Sequence, residues 1–269
     1  MLLASLKIQP PAAHDAEQFP LNVPAIQALV GQTFDFDVPV TIIVGDNGSG
    51  KSTFLEGLAV ATRSIAVGTH DLERDQSLTS AQRLAKYLKL SWHKRTGRGF
   101  FLRAEDFFGY AQRVNQLRLE AEAGLREIEA DTTLSPLARA QARQTHSRTI
   151  GELRHHYGNG LDHMSHGESF LRLFQSRFVP NGLYLLDEPE APLAPIRQLS
   201  LLALIRDAVE QQQSQFVIVT HSPIIMAYPK ARLLQISPTG LQPIEYNAIE
   251  HVSLLRDFLN HPERFLRHL

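Results

Sequence analysis

Residues 45–53, GDNGSGKST, restrict what this 269-residue chain can fold into more than any other stretch. They follow Val40, Ile42, Ile43 and Val44, a β-branched run of the kind that forms a buried strand in a parallel sheet. Beyond the loop, Phe54, Leu55, Leu58, Ala59 and Ala61 recur at helical spacing. Strand, loop and helix in that order fit G-x-x-x-x-G-K-[ST]. Gly45, Gly48 and Gly50 let the loop, with Asp46, Asn47 and Ser49, turn its backbone N–H groups inward around phosphate oxygens. The helix that opens with Lys51, Ser52 and Thr53 points its positive end at the same anion. Lys51 is expected to reach the β- and γ-phosphates of a nucleotide, and the Ser52 hydroxyl to ligate Mg2+. A plain strand-to-helix turn would not require Lys-Ser after its last glycine.

Two more strands end in chemistry. Leu183, Tyr184, Leu185 and Leu186 lead into Asp187-Glu188, and Gln215 to Thr220 lead into His221-Ser222-Pro223. In an open α/β sheet, ligands gather at the carboxyl ends of the strands. Asp187 is therefore expected to hold Mg2+ through water, and Glu188 to orient and deprotonate the attacking water. His221, at the third strand end, is expected to contact the γ-phosphate or that water.

The ordered series GDNGSGKST, MSHGES, LYLLDEPE and VIVTHS resembles the ATP-binding-cassette type of P-loop ATPase. DEPEAPLAPIRQLSLLALI, THSPIIMAYPKARLL and FLNHPERFLRHL resemble a family of small soluble bacterial predicted ATPases of AAA/SMC-like type, relatives of the chromosome-condensing and break-repair ATPases. The likeness spans nearly the whole chain. It implies an α/β fold with a mainly parallel sheet core, an antiparallel β subdomain and an inserted helical subdomain. These would form a single domain over residues 1–269, divided at 1–105, 106–164 and 165–269. It also implies ATP and Mg2+ as ligands, ATP hydrolysis as the reaction, and an ATP-dependent head-to-tail homodimer with two composite sites.

Under the same resemblance, MSHGE aligns with a signature, ideally Leu-Ser-Gly-Gly-Gln, that contacts the γ-phosphate bound to a second subunit. Ser165, His166, Gly167 and Glu168 would then be the trans half of the site. Ser165-x-x-Glu168 is also a capping box ahead of an amphipathic helix, and the two readings are compatible because a capped N-terminus is an anion site. Glu105 falls where the class carries a Gln that senses Mg2+ and the γ-phosphate; a Glu at a helix start explains it equally well. Ala191-Pro-Leu-Ala194 stands where transporter subunits carry Ser-Ala-Leu-Asp. The ATP-binding subunit of a membrane transporter is one alternative, and a nucleic-acid-associated clamp in repair or defence is another.

The remaining sequence sets bounds. A net charge of −1 argues against a globally basic nucleic-acid binder. With no cysteine there is no disulfide and no thiolate-ligated metal. No apolar run reaches the roughly 20 residues that cross a bilayer, and the N-terminus does not read as a secretory signal. A cytoplasmic protein without direct membrane insertion is the expectation. Tyr87 to His93 and Gly99 to Arg103 read as a hairpin. Arg83, Lys86, Lys89, Lys94, Arg95, Arg98 and Arg103 would give it a basic face, open to nucleic acid phosphates or simply solvated. Phe19, Phe34 and Phe36 are candidates to touch adenine, with core packing as the other role. Residues 106–156 read as a compact helical subdomain without a heptad array, and Val252 to Asn260 as a terminal helix on the core.

Overall fold

A computed structural model describes residues 1–66, 79–157 and 166–267; for 104, 105, 107, 108, 110, 111, 154–157 and 166 the description covers the backbone. The strands are β1 (Leu3–Ile8), β2 (Thr33–Asp35), β3 (Val40–Val44), β4 (Leu88–Trp92), β5 (Gly99–Arg103), β6 (Leu183–Asp187), β7 (Gln215–Val219), β8 (Arg232–Ser237) and β9 (Gly240–Pro243). A six-stranded sheet runs β5-β6-β7-β3-β8-β9, and a three-stranded sheet runs β2-β1-β4. Every pairing in the larger sheet is parallel except the edge hairpin of β8 with β9. The smaller sheet is antiparallel throughout.

Strand periodicity divides the core. Ile43, Phe101, Leu185, Val217 and Val219 face one layer, shared with Leu3, Leu6 and Ile8 of β1. Their neighbours Ile42, Val44, Phe100, Leu102, Tyr184, Leu186, Phe216 and Ile218 face the other. A strand buried on both faces reads as a continuous apolar run, which is why β3, β6 and β7 were legible without alternation. Gln215, fully buried in β7, ties the two sheets. Its Oε1 accepts from the backbone N–H groups of Leu2 and Leu3 at 2.9 and 2.8 Å, and its Nε2 donates to the Leu3 carbonyl at 3.1 Å.

The helices are α1 (Ala13–Ala16), α2 (Pro24–Leu29), α3 (Lys51–Thr62), α4 (Thr79–Ala85), α5 (Ala104–Ala130), α6 (Pro136–Tyr157), α7 (His166–Arg177), α8 (Pro195–Gln212), α9 (Pro223–Met226), α10 (Glu250–Asn260) and α11 (Pro262–Leu266). Phe54, Leu55 and Leu58 of α3 join the layer beneath the smaller sheet. Phe170, Leu173 and Phe174 of α7, with Leu201 and Ile205 of α8, cover the opposite face. There Tyr184 stacks on Phe216 at 4.9 Å and meets Phe100 edge-on at 5.0 Å. Its hydroxyl accepts from the Val179 N–H at 2.7 Å, so the buried phenol keeps a partner.

Three expectations are corrected. The hairpin of β4 with β5 does not form: β4 pairs with β1, whereas β5 lies parallel to β6, Phe101 opposite Leu185. The burial of the two strands explains the split. β4 alternates half-buried and exposed residues and suits an outer sheet, while Phe100, Phe101 and Leu102 are buried in succession and need cover on both faces. The turn between them docks on the entry to β6, where Thr96 donates to the Asn181 carbonyl at 2.8 Å and Lys94 to the Asn181 side chain at 2.9 Å. The basic run accordingly has no single hairpin face. Arg83 donates to the Phe19 carbonyl, Arg98 to the Pro180 carbonyl, and Arg103 pairs with Glu56 and Asp106.

The inserted segment is elongated rather than compact. α5 has 27 residues, about 40 Å at ~1.5 Å per residue. α6 returns antiparallel beside it: a Cβ on Gly124 would meet the His146 ring at 2.5 Å, and Arg143 pairs with Glu129 at 3.6 Å. α10 meets the core mainly through its first turn, where Val252 is 3% exposed; Leu254 and Leu259 are 54% and 69% exposed. Phe36 is core and Phe34 packs against it, whereas Phe19 is half exposed. Among the described residues no helix is long and apolar enough to cross a membrane.

Candidate active site

The central strand β3 ends at a loop whose shape demands glycine. Gly45 has φ +153°, and a Cβ there would sit 2.5 Å from the Ile236 carbonyl oxygen of β8. Gly50, at φ +93°, is the left-handed residue from which α3 starts. Asp46, Asn47 and Gly48 form the exposed tip, and Thr53 lies in the first turn of α3. Lys51 is 5% exposed and folds back along the loop, donating to the carbonyls of Gly45 at 3.0 Å and Asp46 at 2.7 Å. Burial pulls its pKa below the ordinary lysine range, against the nearby charges of Glu188, Asp187 and Asp46. The Ser49 hydroxyl is buried with no hydrogen-bond partner, as suits a loop shaped to hold an anion.

Parallel pairing carries β6 and β7 to the same edge. Ser52 donates to the Asp187 carboxylate at 3.2 Å, so the two expected metal ligands meet although they lie far apart in the chain. Asp187 is 7% exposed, and burial raises its pKa to about 7; Ser52 opposes the shift and Glu188 adds to it. A buried carboxylate beside a hydroxyl is a hard-oxygen donor set of the kind Mg2+ takes. No group of three His, Cys, Asp or Glu side chains is placed to cage a metal among the described residues.

Glu188 follows with φ +48°, a left-handed conformation uncommon outside glycine. Its N–H donates to the Val219 carbonyl at 2.9 Å, which holds the twist at the strand end. The carboxylate is 48% exposed and lies 3.8 Å from His221 Nε2. Burial lowers the His221 pKa, Lys51 adds to that, and Glu188 opposes it. His221 Nε2 is buried without a hydrogen-bond partner. The Glu188 carboxylate thus lies beside the His221 imidazole at the carboxyl edge of the sheet, with the Lys51 ammonium close enough to act on both. Such a set can order a water molecule and take its proton.

Sequence reasoning missed Glu190. Its Oε1 accepts from the N–H groups of His221 at 2.7 Å and Ser222 at 3.0 Å, fixing the turn that carries the imidazole. Burial raises the Glu190 pKa, with hydrogen bonds from Thr220 and His221 opposing. The only local signal was its place two residues beyond Glu188, which by itself reads as a solvated turn. Ser222 caps α9 through the Ile224 and Ile225 N–H groups and donates to buried Gln198.

The other expected residues lie elsewhere. Ser165 and the side chains of His166 and Glu105 fall outside the described residues. Gly167 starts α7 against the segment before α8, where a Cβ would sit 3.2 Å from the Pro192 carbonyl oxygen. Glu168 forms an ion pair with Arg197 of α8. Residues 191–194, which lead from the Asp187-Glu188 corner into α8, therefore pack against the start of α7.

A mainly parallel α/β sheet whose strand β3 runs through a glycine loop into a helix, with a buried Asp beside the loop's serine, defines a P-loop ATPase. The family described as "AAA domain" matches residues 23–170, more than half of the chain, and the chain belongs to that family. No curated protein matches it significantly. Among solved structures, an inward-facing ABC transporter described as of metal-chelate type is 20% identical, with a TM-score of 0.47, over 97% of this chain and 90% of that one. The Smc head domain of Pyrococcus furiosus, bound to the C-terminal domain of ScpA, is 10% identical, with a TM-score of 0.45, over 96% and 100%. A dimeric bacterial ABC transporter cassette is 17% identical, with a TM-score of 0.42, over 80% and 88%.

Proposed function

We propose that the chain is a Mg2+-dependent ATPase that binds and hydrolyses ATP between two copies arranged head to tail. The observation that carries the reading is the contact of Ser52 with Asp187, flanked by Lys51, Glu188 and His221. The loop from Gly45 to Thr53 holds the triphosphate, and Lys51 exchanges its carbonyl partners for β- and γ-phosphate oxygens. Ser52 and Asp187 hold Mg2+, which when bound offsets the charge on those phosphates. Glu188 orients the attacking water and accepts its proton, while His221 donates to the γ-phosphate. Ser165, His166, Gly167 and Glu168 of one copy complete the site of the other.

Glu188→Gln should bind Mg-ATP with little change and hydrolyse it at least about a hundredfold more slowly, the scale of losing a general base. Single-turnover phosphate release against a binding isotherm separates the two quantities. Unchanged release in the variant would remove Glu188 from the role.

A further inference from the structure

The nucleotide edge carries a second imidazole that the three strand-end motifs do not account for. His251 lies in the first turn of α10, its ring centroid 6.1 Å from that of His221. Its Nε2, like that of His221, is buried without a hydrogen-bond partner. The meeting of the rings is built into the fold on both sides. Ile225 and Met226, just past His221, share one apolar cluster with Ile249 and Val252, which bracket His251. Tyr246, ahead of α10, donates its hydroxyl to the Pro223 carbonyl at 3.1 Å. The turn bearing His221 and the start of α10 are thus joined by packing, by a hydrogen bond and by the two rings.

We propose that His251 is the positioning residue of His221, holding its imidazole in orientation against the γ-phosphate position and so making α10 part of the nucleotide sensor. The proposal rests on the ATPase reading above. His221 is faced by Lys51 from α3, Asp46 from the phosphate loop, Glu188 from the end of β6 and His251 from α10, while Glu190 holds its backbone N–H. Burial first, then Lys51 and His251, favour the neutral ring, and Glu188 and Asp46 favour the protonated one. Removing His251 therefore takes away one influence that keeps His221 neutral, and the proton affinity of His221 rises. A residue that merely fills space acts through burial alone, so replacing it with a polar side chain of similar size would leave that titration in place.

The test uses the full chain with labelled histidine and follows the His221 imidazole by NMR across pH, without nucleotide, in wild type, His251→Gln and His251→Phe. His251→Gln should move the His221 midpoint to higher pH, and His251→Phe, which also removes the charge but adds apolar cover, should move it by less. The acid limb of kcat should move the same way, with kcat down about tenfold and KM for Mg-ATP within about twofold, the size of effect expected from a misplaced acid–base group. His251→Phe keeps a ring in place, so it serves if His251→Gln fails to fold. An unmoved His221 midpoint in a folded variant overturns the proposal. Absence of ATP hydrolysis in the wild type would instead overturn the ATPase reading, since the imidazole titration needs no turnover.

Discussion

Asp187 has the most unfavourable surroundings of any carboxylate in the site. Its folded pKa of about 7 lies above the ordinary value of 3.8, because burial penalises the charged form. For such a group the stabilising contribution is complete below the unfolded pKa and is lost as pH rises through the folded one. Without nucleotide or Mg2+, the protein should therefore lose stability between about pH 4 and pH 7, by ~1.4 kcal/mol for each tenfold difference in proton affinity between the folded and unfolded chain. Asp187→Asn removes the ionisation, so its urea stability relative to wild type should rise steadily over that window. A gap that stays constant with pH would show that Asp187 is not the group responsible. Glu190 makes a different point at the same scale. It is buried, and its Oε1 accepts from two backbone N–H groups, which fixes the backbone beneath His221, while its Oε2 is buried without a hydrogen-bond partner.

At the scale of elements, the joint between β1 and β7 carries the smaller sheet. Leu2 and Leu3 present two buried N–H groups and a carbonyl, and the side chain of Gln215 satisfies all three. Gln215→Leu keeps the volume roughly constant and leaves those groups unpaired, at about 1–3 kcal/mol each. The variant should lose several kcal/mol in urea unfolding, with exchange of the Leu3 amide accelerated. Mg-ATP affinity of the folded fraction should stay within about twofold of wild type, since Gln215 lies at the opposite end of β7 from His221. A change below about 1 kcal/mol would mean that water takes over these bonds.

At the scale of the whole molecule, the decisive question is whether two copies close around ATP. Ser165→Arg places a bulky side chain where the trans reading puts the partner's γ-phosphate, and it leaves the chain's own loop from Gly45 to Thr53 intact. Light scattering of Glu188→Gln with Mg-ATP should report a dimer, and adding Ser165→Arg should return a monomer that still binds ATP. A capping role alone predicts otherwise. Ser165→Ala would then cost about 1 kcal/mol of stability without touching assembly. If the double variant dimerises as well as the single one, the signature is only a cap.

The sequence by itself determined the phosphate loop, the Asp187-Glu188 corner and the His221 turn, because each is a short run in which strand, turn and functional group are neighbours in the chain. It also determined β3, β6 and β7, whose short, near-continuous apolar runs suit a strand covered on both faces. Only the tertiary structure decided where β5 belongs, since the turn from Arg95 to Arg98 could close a hairpin or cross between sheets. The docking of that turn on Asn181 and Pro180 settles it. Tertiary structure likewise placed Glu190 under the His221 backbone and His251 beside its ring. The physical reason is common to these cases. A local pattern records which face of an element is buried, whereas contacts across tens of residues depend on strand order and helix docking, which arise from the packing of the whole core.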